Sequence, residues 1–169
     1  VATLAKLARS AEPNDLEYQL GKFLFFDPRL SADNSTACAS CHDPAAGFAD
    51  GGRVAVGMAT GELGDRNSPT ILNAVFQSRQ FWDMRAVSLR DQSIQPLTNK
   101  KEMGNDSNQQ VAARLRGIAE YRDIFRSVYG SDPTPDLMRS AIVRFEREVV
   151  SNNSPADRYE RGDKTALTR

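Results

Sequence analysis

The only two cysteines and the only histidine of this 169-residue chain fall within five consecutive positions, Cys38-Ala39-Ser40-Cys41-His42. Packing gives no reason for such clustering. Chemistry gives one: two thiols at this spacing can each form a thioether to a vinyl group of the same haem, and the residue after the second thiol is placed to ligate the iron. A fold built on this window has to wrap a flat apolar cofactor around it. Competing readings of a Cys-x-x-Cys pair are weaker. A redox dithiol is expected beside a βαβ pattern, and none is visible. A zinc site needs more ligands than the chain offers. The window therefore predicts one covalent haem c held by Cys38 and Cys41, with His42 as an axial iron ligand.

The chain is long enough for one domain that buries a core and most of a haem. Its 22 Lys and Arg balance 22 Asp and Glu, so no net field argues for nucleic acid or an anionic membrane surface. No apolar run approaches the roughly 20 residues of a membrane span, and the opening VATLAKLARS lacks the apolar centre of a secretory signal. A soluble mature chain is expected, with no nucleic acid partner and no membrane span.

The apolar spacing predicts an all-α chain. Leu16, Leu20, Phe23 and Leu24 share one helical face, with Asn14 or Asp15 as cap and Asp27-Pro28 as stop. Residues 31–64, rich in Gly, Ala, Asp and Ser, read as a loop wrapped around the cofactor. Asn67-Ser68-Pro69 predicts a helix through Ile71, Leu72, Val75 and Phe76. Ser88 with Asp91 starts a short helix that stops near Pro96. Ser107 and Gln110 form a capping box for a helix carrying Val111, Ala112 and Leu115, with Gly117 as stop. Another helix spans about 119–129 and closes at Gly130. Thr134-Pro135-Asp136 starts what reads as the longest helix, with Met138, Ile142, Phe145 and Val149 as its apolar stripe; Met138 belongs to the core on this reading. The last segment, from about 151, is polar and aperiodic, an exposed connection.

Several segments in fixed order carry a more specific signal: LGKFLFFDPRLS, CASCHDPAAGFAD, DRNSPTILNAVF, FWDMRAVSLRDQSIQPLTNKKEMG and AIVRFEREVVSNNSPADRYERGDKTAL. With these the chain resembles the N-terminal, peroxidatic-haem domain of bacterial dihaem cytochrome c peroxidases and MauG-type oxidases. The resemblance implies a cytochrome c-like haem domain over residues 1–169, with extra helices and long haem-wrapping loops, in which residues 151–169 lead toward a second haem domain that the chain lacks. By the same resemblance, His42 is the proximal ligand. Glu102 matches the distal acid that moves a proton during peroxide cleavage, and Gln92 and Pro96 match residues lining the distal pocket. Trp82 matches the tryptophan between the two haems, and Asn67 a ligand of calcium at the domain interface.

Two departures stand out. Many relatives carry a distal histidine in the loop before the RN-[SA]-P segment, whereas VAVGMATGELGDRNSP has none; the distal iron position is then open or water-bound, with Met58 as the alternative ligand. Met84 replaces the glycine usual in the WD-G-R-A segment. The activity implied is reduction of hydrogen peroxide to water, with electrons from a second haem or an external cytochrome or cupredoxin donor. MauG-like oxidation of a partner protein through high-valent haem iron is one alternative; mono-haem electron transfer, which Met58 ligation would favour, is another. Thioether attachment of haem implies maturation in the periplasm, and dimers are frequent in the family.

Overall fold

The computed structural model describes residues 13–57, 61 and 63–167, with side chains from residue 16 onward. Among these residues the chain folds into seven α-helices: α1 (Pro13–Phe26), α2 (Cys38–Cys41), α3 (Leu89–Gln92), α4 (Asn108–Arg116), α5 (Ala119–Tyr129), α6 (Pro135–Glu146) and α7 (Pro155–Glu160). β pairing among them is limited to isolated bridges such as Val56 with Leu63. The all-α expectation holds.

Helix α1 packs along α6, and Gly21 makes the crossing close: a Cβ there would lie 1.9 Å from the Ala141 carbonyl oxygen. Leu20 and Leu24 of α1, Leu115 of α4, Ile124 and Phe125 of α5, and Met138 and Ile142 of α6 form one fully buried cluster, so Met138 is core. A second cluster joins Phe25, Ile71, Val143 and Phe145, with the half-buried Cys38 touching both. The haem window is thus seated between the two halves of the apolar interior.

Buried polar groups fix the connections. Asp27 accepts from the Tyr121 hydroxyl at 2.6 Å and pairs with Arg29 at 2.5 Å, which ties the end of α1 to α5. Asn105 donates to the carbonyls of Leu30 (2.7 Å) and Leu97 (2.8 Å), and Arg114 donates to Asn105, Arg29 and Ser31. Residues 97–105 are thereby pinned to the turn after α1.

Several expectations are corrected. Helix α1 begins at Pro13, so Asn14 and Asp15 lie within its first turn and do not precede it as caps. The helix expected over 71–76 reduces to one 3₁₀ turn, Ala74–Phe76. Its hydrogen bonds go elsewhere: the Asp50 carboxylate accepts from the Ser68 amide, the Ile71 amide donates to the Phe48 carbonyl, and Asn73 adopts φ 62°. Helix α6 stops at Glu146, leaving the buried Val149 beyond it, so the 14-residue α1 outruns the 12-residue α6. The polar tail contains α7, capped by Ser154, whose hydroxyl accepts from the Asp157 amide while Asp157 accepts from the Ser154 amide. Gln110 reaches back one residue further than a capping box requires, accepting from the Asp106 amide, while Ser107 accepts from Gln110 as expected.

Candidate haem site

The Cys-x-x-Cys window forms one helical turn, α2, which sets Cys38 and Cys41 on the same side. His42 follows as its cap. Its Nδ1 lies 3.2 Å from the carbonyl oxygen of Phe48. A carbonyl can only accept, so Nδ1 carries the proton and Nε2 keeps its lone pair for a metal. Phe48 presents that carbonyl from a left-handed conformation (φ 58°) inside the turn that Pro44–Ala46 begins. Burial holds the His42 pKa below the usual imidazole range, more than offsetting the carbonyl bonds that raise it. The neutral imidazole is the ligating form.

Burial pushes the Cys38 thiol up to about 12, with the Glu146 carboxyl next in effect and Cys41 and Glu102 adding to it. Cys41 is raised in the same way, by burial and then by Glu102. Zinc binding and redox exchange both need thiolates, so this environment disfavours those readings. A neutral thiol pair, a preset imidazole and aromatic walls from Phe25 and Phe48 (ring centroids 6.5 Å apart) fit a covalently attached haem.

Glu102 sits on the pinned segment. The amides of Glu102 and Gly104 both donate to the Asn99 carbonyl, Met103 is buried, and the Asn99 side-chain amide donates to Glu102 Oε1 at 2.7 Å. Lys101 next to it pairs with Asp65 at 2.7 Å, and Gly57 approaches so closely that a Cβ would lie 1.9 Å from the Lys101 carbonyl oxygen. Burial raises the Glu102 pKa; the Asn99 bond and the Arg85 charge pull it down less strongly. The Cys41 thiol lies 3.7 Å from the Val56 carbonyl oxygen, and a Cβ on the next residue, Gly57, would lie 3.0 Å from Glu102 Cα, which brings Glu102 into the neighbourhood of the haem window. Glu102 also lines a cavity of ≈ 380 Å³ together with Phe81, Arg85, Gln95, Pro96 and Arg139.

Of the predicted distal residues, Pro96 and Glu102 therefore meet in one cavity. Gln92 ends α3 one turn earlier and lies outside that lining, where Gln95 stands instead. Trp82 is 60% exposed, and its indole N–H donates to the Asn67 main-chain carbonyl at 3.0 Å. The Asn67 side-chain amide faces Asp50 Oδ1 at 3.4 Å. Met58 lies outside the described residues. Sequence reading missed Asn99, Asn105 and Arg114, which place Glu102, and Asp50, which holds the 67–68 segment. The one available signal was an asparagine three residues before the acid.

A Cys-x-x-Cys-His turn with an acid held near it is a combination that can be compared with known proteins. The sequence profile described as di-haem cytochrome c peroxidase matches residues 15–165. The chain belongs to the dihaem cytochrome c peroxidase family. It is 40% identical over 149 residues to the cytochrome c peroxidase Ccp of Escherichia coli, covering 88% of this chain and 32% of that protein. Against the cytochrome c551 peroxidase of Pseudomonas aeruginosa the identity is 41% over 157 residues, 91% of this chain and 45% of the relative. The methylamine utilization protein MauG of Methylorubrum extorquens is 40% identical over 150 residues, 88% and 42% of the two chains. Among solved structures, a MauG-like protein associated with microbial copper homeostasis superposes with a TM-score of 0.81 at 33% identity, over 92% of this chain and 46% of that one. The chain thus spans less than half the length of these relatives. Among the described residues of this family member, no helix is long and apolar enough to cross a membrane.

Proposed function

We propose that this chain carries the peroxidatic haem of a dihaem peroxidase and that Glu102 is its acid–base group. The observation that supports this most is the placement of Glu102: a half-buried carboxyl on a segment packed against Gly57, next in sequence to the Val56 carbonyl that faces Cys41, oriented by Asn99 and open to a polar cavity. When bound, the haem supplies the iron that takes peroxide and the oxidising equivalents drawn from it. The protein's part is proton placement. Reduction follows H2O2 + 2H⁺ + 2e⁻ → 2H2O, and one carboxylate can take the proton from the inner peroxide oxygen and return it to the departing one.

On this reading the chain holds one haem c, and the electrons come from a second haem domain or from a small cytochrome or cupredoxin donor. The site lies in the periplasm, where thioether haem is made. The exposed Trp82, Phe76, Met84 and Val87 suit a face that receives those electrons or pairs with another copy. Calcium is harder to accommodate. A calcium ion takes six to eight oxygens, and Asn67 offers its main-chain oxygen to Trp82 while its amide group faces Asp50.

A second reading is MauG-like oxidation of a partner protein by the same site. It is favoured by the sequence of the 53–68 loop, which has no histidine to fill the distal position. Steady-state peroxide consumption by the haem-loaded chain, with a reduced small cytochrome as donor, tests the primary reading. Wild type is expected to turn over and Glu102→Gln to lose at least about a hundredfold. Equal rates for the two proteins would overturn the role of Glu102. Peroxide consumption without donor oxidation would move the assignment to the MauG-like reading.

A further inference from the structure

Two residues that line the cavity beside Glu102 each carry a polar atom that the protein leaves unsatisfied. Asn108 Oδ1, at the first position of α4, and Arg139 Nε, in the first half of α6, are both shielded from solvent and have no hydrogen-bond partner. Both residues line the same cavity. A buried acceptor and a buried donor without partners are costly, and in native proteins such atoms are usually met by ordered water. Gln95, Thr98 and Asn99 add further polar lining, and at about 30 Å³ per molecule a cavity of ≈ 380 Å³ has room for a cluster of waters. The space is open on one side: the Arg85 and Arg139 side chains are 47% and 33% exposed. On the other side lies Glu102, with Oε1 bonded to Asn99 and Oε2 left for another partner.

We propose that this cavity is a water-filled proton inlet serving Glu102, with Arg139 and Asn108 ordering its water. The inference rests on the role proposed above for Glu102. Each peroxide reduced consumes two protons, while one carboxylate carries one, so the acid must be resupplied during every turnover. Glu102 is half-buried and faces this cavity, which opens to solvent at its rim. A proton enters at the Arg85–Arg139 rim, passes from water to water by exchange of O–H bonds, and ends on the Glu102 carboxylate. Electrons come separately from the donor. Of the charged groups around the path, Arg85 pairs with Asp83 at 2.9 Å and lies over the Phe81 ring at 3.5 Å, Asp91 accepts from the Val87 amide, and Arg139 has a distant Asp136, at 3.7 Å. Arg139 is therefore the cation with bonding capacity to spare toward the cavity.

Cyanide association with the ferric haem-loaded protein tests this without any redox turnover. HCN must give up its proton as it binds, and with the cavity as the link between Glu102 and solvent that proton passes to Glu102 and leaves through the cavity water. Glu102→Gln is expected to slow association, and Asn108→Leu and Arg139→Met to slow it by roughly tenfold near neutral pH, with unchanged visible spectra and melting temperatures as checks on folding. Wild type needs no substitution for a second test: in mixed H2O and D2O its association rate should fall along a bowed curve, the mark of several protons in flight. If Glu102→Gln is slow while both cavity variants match wild type and the isotope curve is straight, the inlet is overturned and the role of Glu102 stands. If wild type takes no cyanide, the open or water-bound distal position expected from the histidine-free loop fails, and the inlet fails with it.

Discussion

Asn99 donates from Nδ2 to Oε1 of Glu102 across 2.7 Å, and this bond opposes burial in setting the charge of the carboxyl. A donor to a carboxylate stabilises the ionised form. Removing it leaves burial unopposed except by Arg85, and the pKa of Glu102, already above the ordinary 4.5, rises further. If the carboxylate is the base, the rate climbs as pH rises through that pKa. Asn99→Leu is then expected to move this limb of the pH–rate profile to higher pH and to lower the rate at neutral pH by about tenfold. An unmoved limb would mean that Asn99 only shapes the loop.

Asn105 holds the segment that carries Glu102. It is 1% exposed and bonds the carbonyls of Leu30 and Leu97 as well as Arg114. Asn105→Ala strands these buried groups, and the expected loss is about 3 kcal/mol, read from urea unfolding of the haem-loaded protein. A change below about 0.5 kcal/mol would show that the 97–105 segment is held by other contacts.

Glu146 has the most unusual environment among the described carboxyls. It is 5% exposed, its Oε2 has no partner, and burial pushes its pKa from the ordinary 4.5 up to about 8. The folded state therefore binds this proton more tightly than the unfolded chain does. Its contribution to stability is intact below about pH 4.5 and is lost progressively as pH rises toward about 8. Thermal unfolding across that window should show a decline with pH that Glu146→Gln flattens. Parallel declines in the two proteins would assign the effect to other groups.

Met84 occupies a left-handed conformation (φ 57°) and is 66% exposed. A side chain there costs about 1 to 2 kcal/mol, partly offset by the backbone entropy that glycine loses on folding. Met84→Gly is expected to gain up to about 1 kcal/mol in unfolding free energy. A loss would show that the methionine makes a contact worth more than its strain.

The haem window was legible because its chemistry is local: two thiols and an imidazole within a single helical turn carry their meaning in their spacing. Helices α3 to α6 were legible because Ser88, Ser107, Thr134 and Gly130 mark their ends with side-chain caps or a left-handed glycine. Asn67 looked like the same kind of start. There, the Asp50 carboxylate, 18 residues away in sequence, takes the Ser68 amide, and a long-range partner of this kind leaves no mark in a local pattern. The support of Glu102 was hidden for the same reason. Arg114 reaches back 85 residues to Arg29, and Asn105 reaches back 75 to Leu30. Glu102 itself was singled out only through resemblance to a family, and its role stays a proposal, since nothing in its immediate sequence distinguishes it from other carboxylates.

The absorption spectrum of the purified ferric protein at neutral pH, before and after one equivalent of hydrogen peroxide, tests the central claim most directly. The account predicts a covalently held haem with a high-spin spectrum that peroxide converts within the mixing time, and that Glu102→Gln converts far more slowly. A low-spin spectrum indifferent to peroxide would contradict it, placing a second protein ligand on the iron and making this chain an electron carrier.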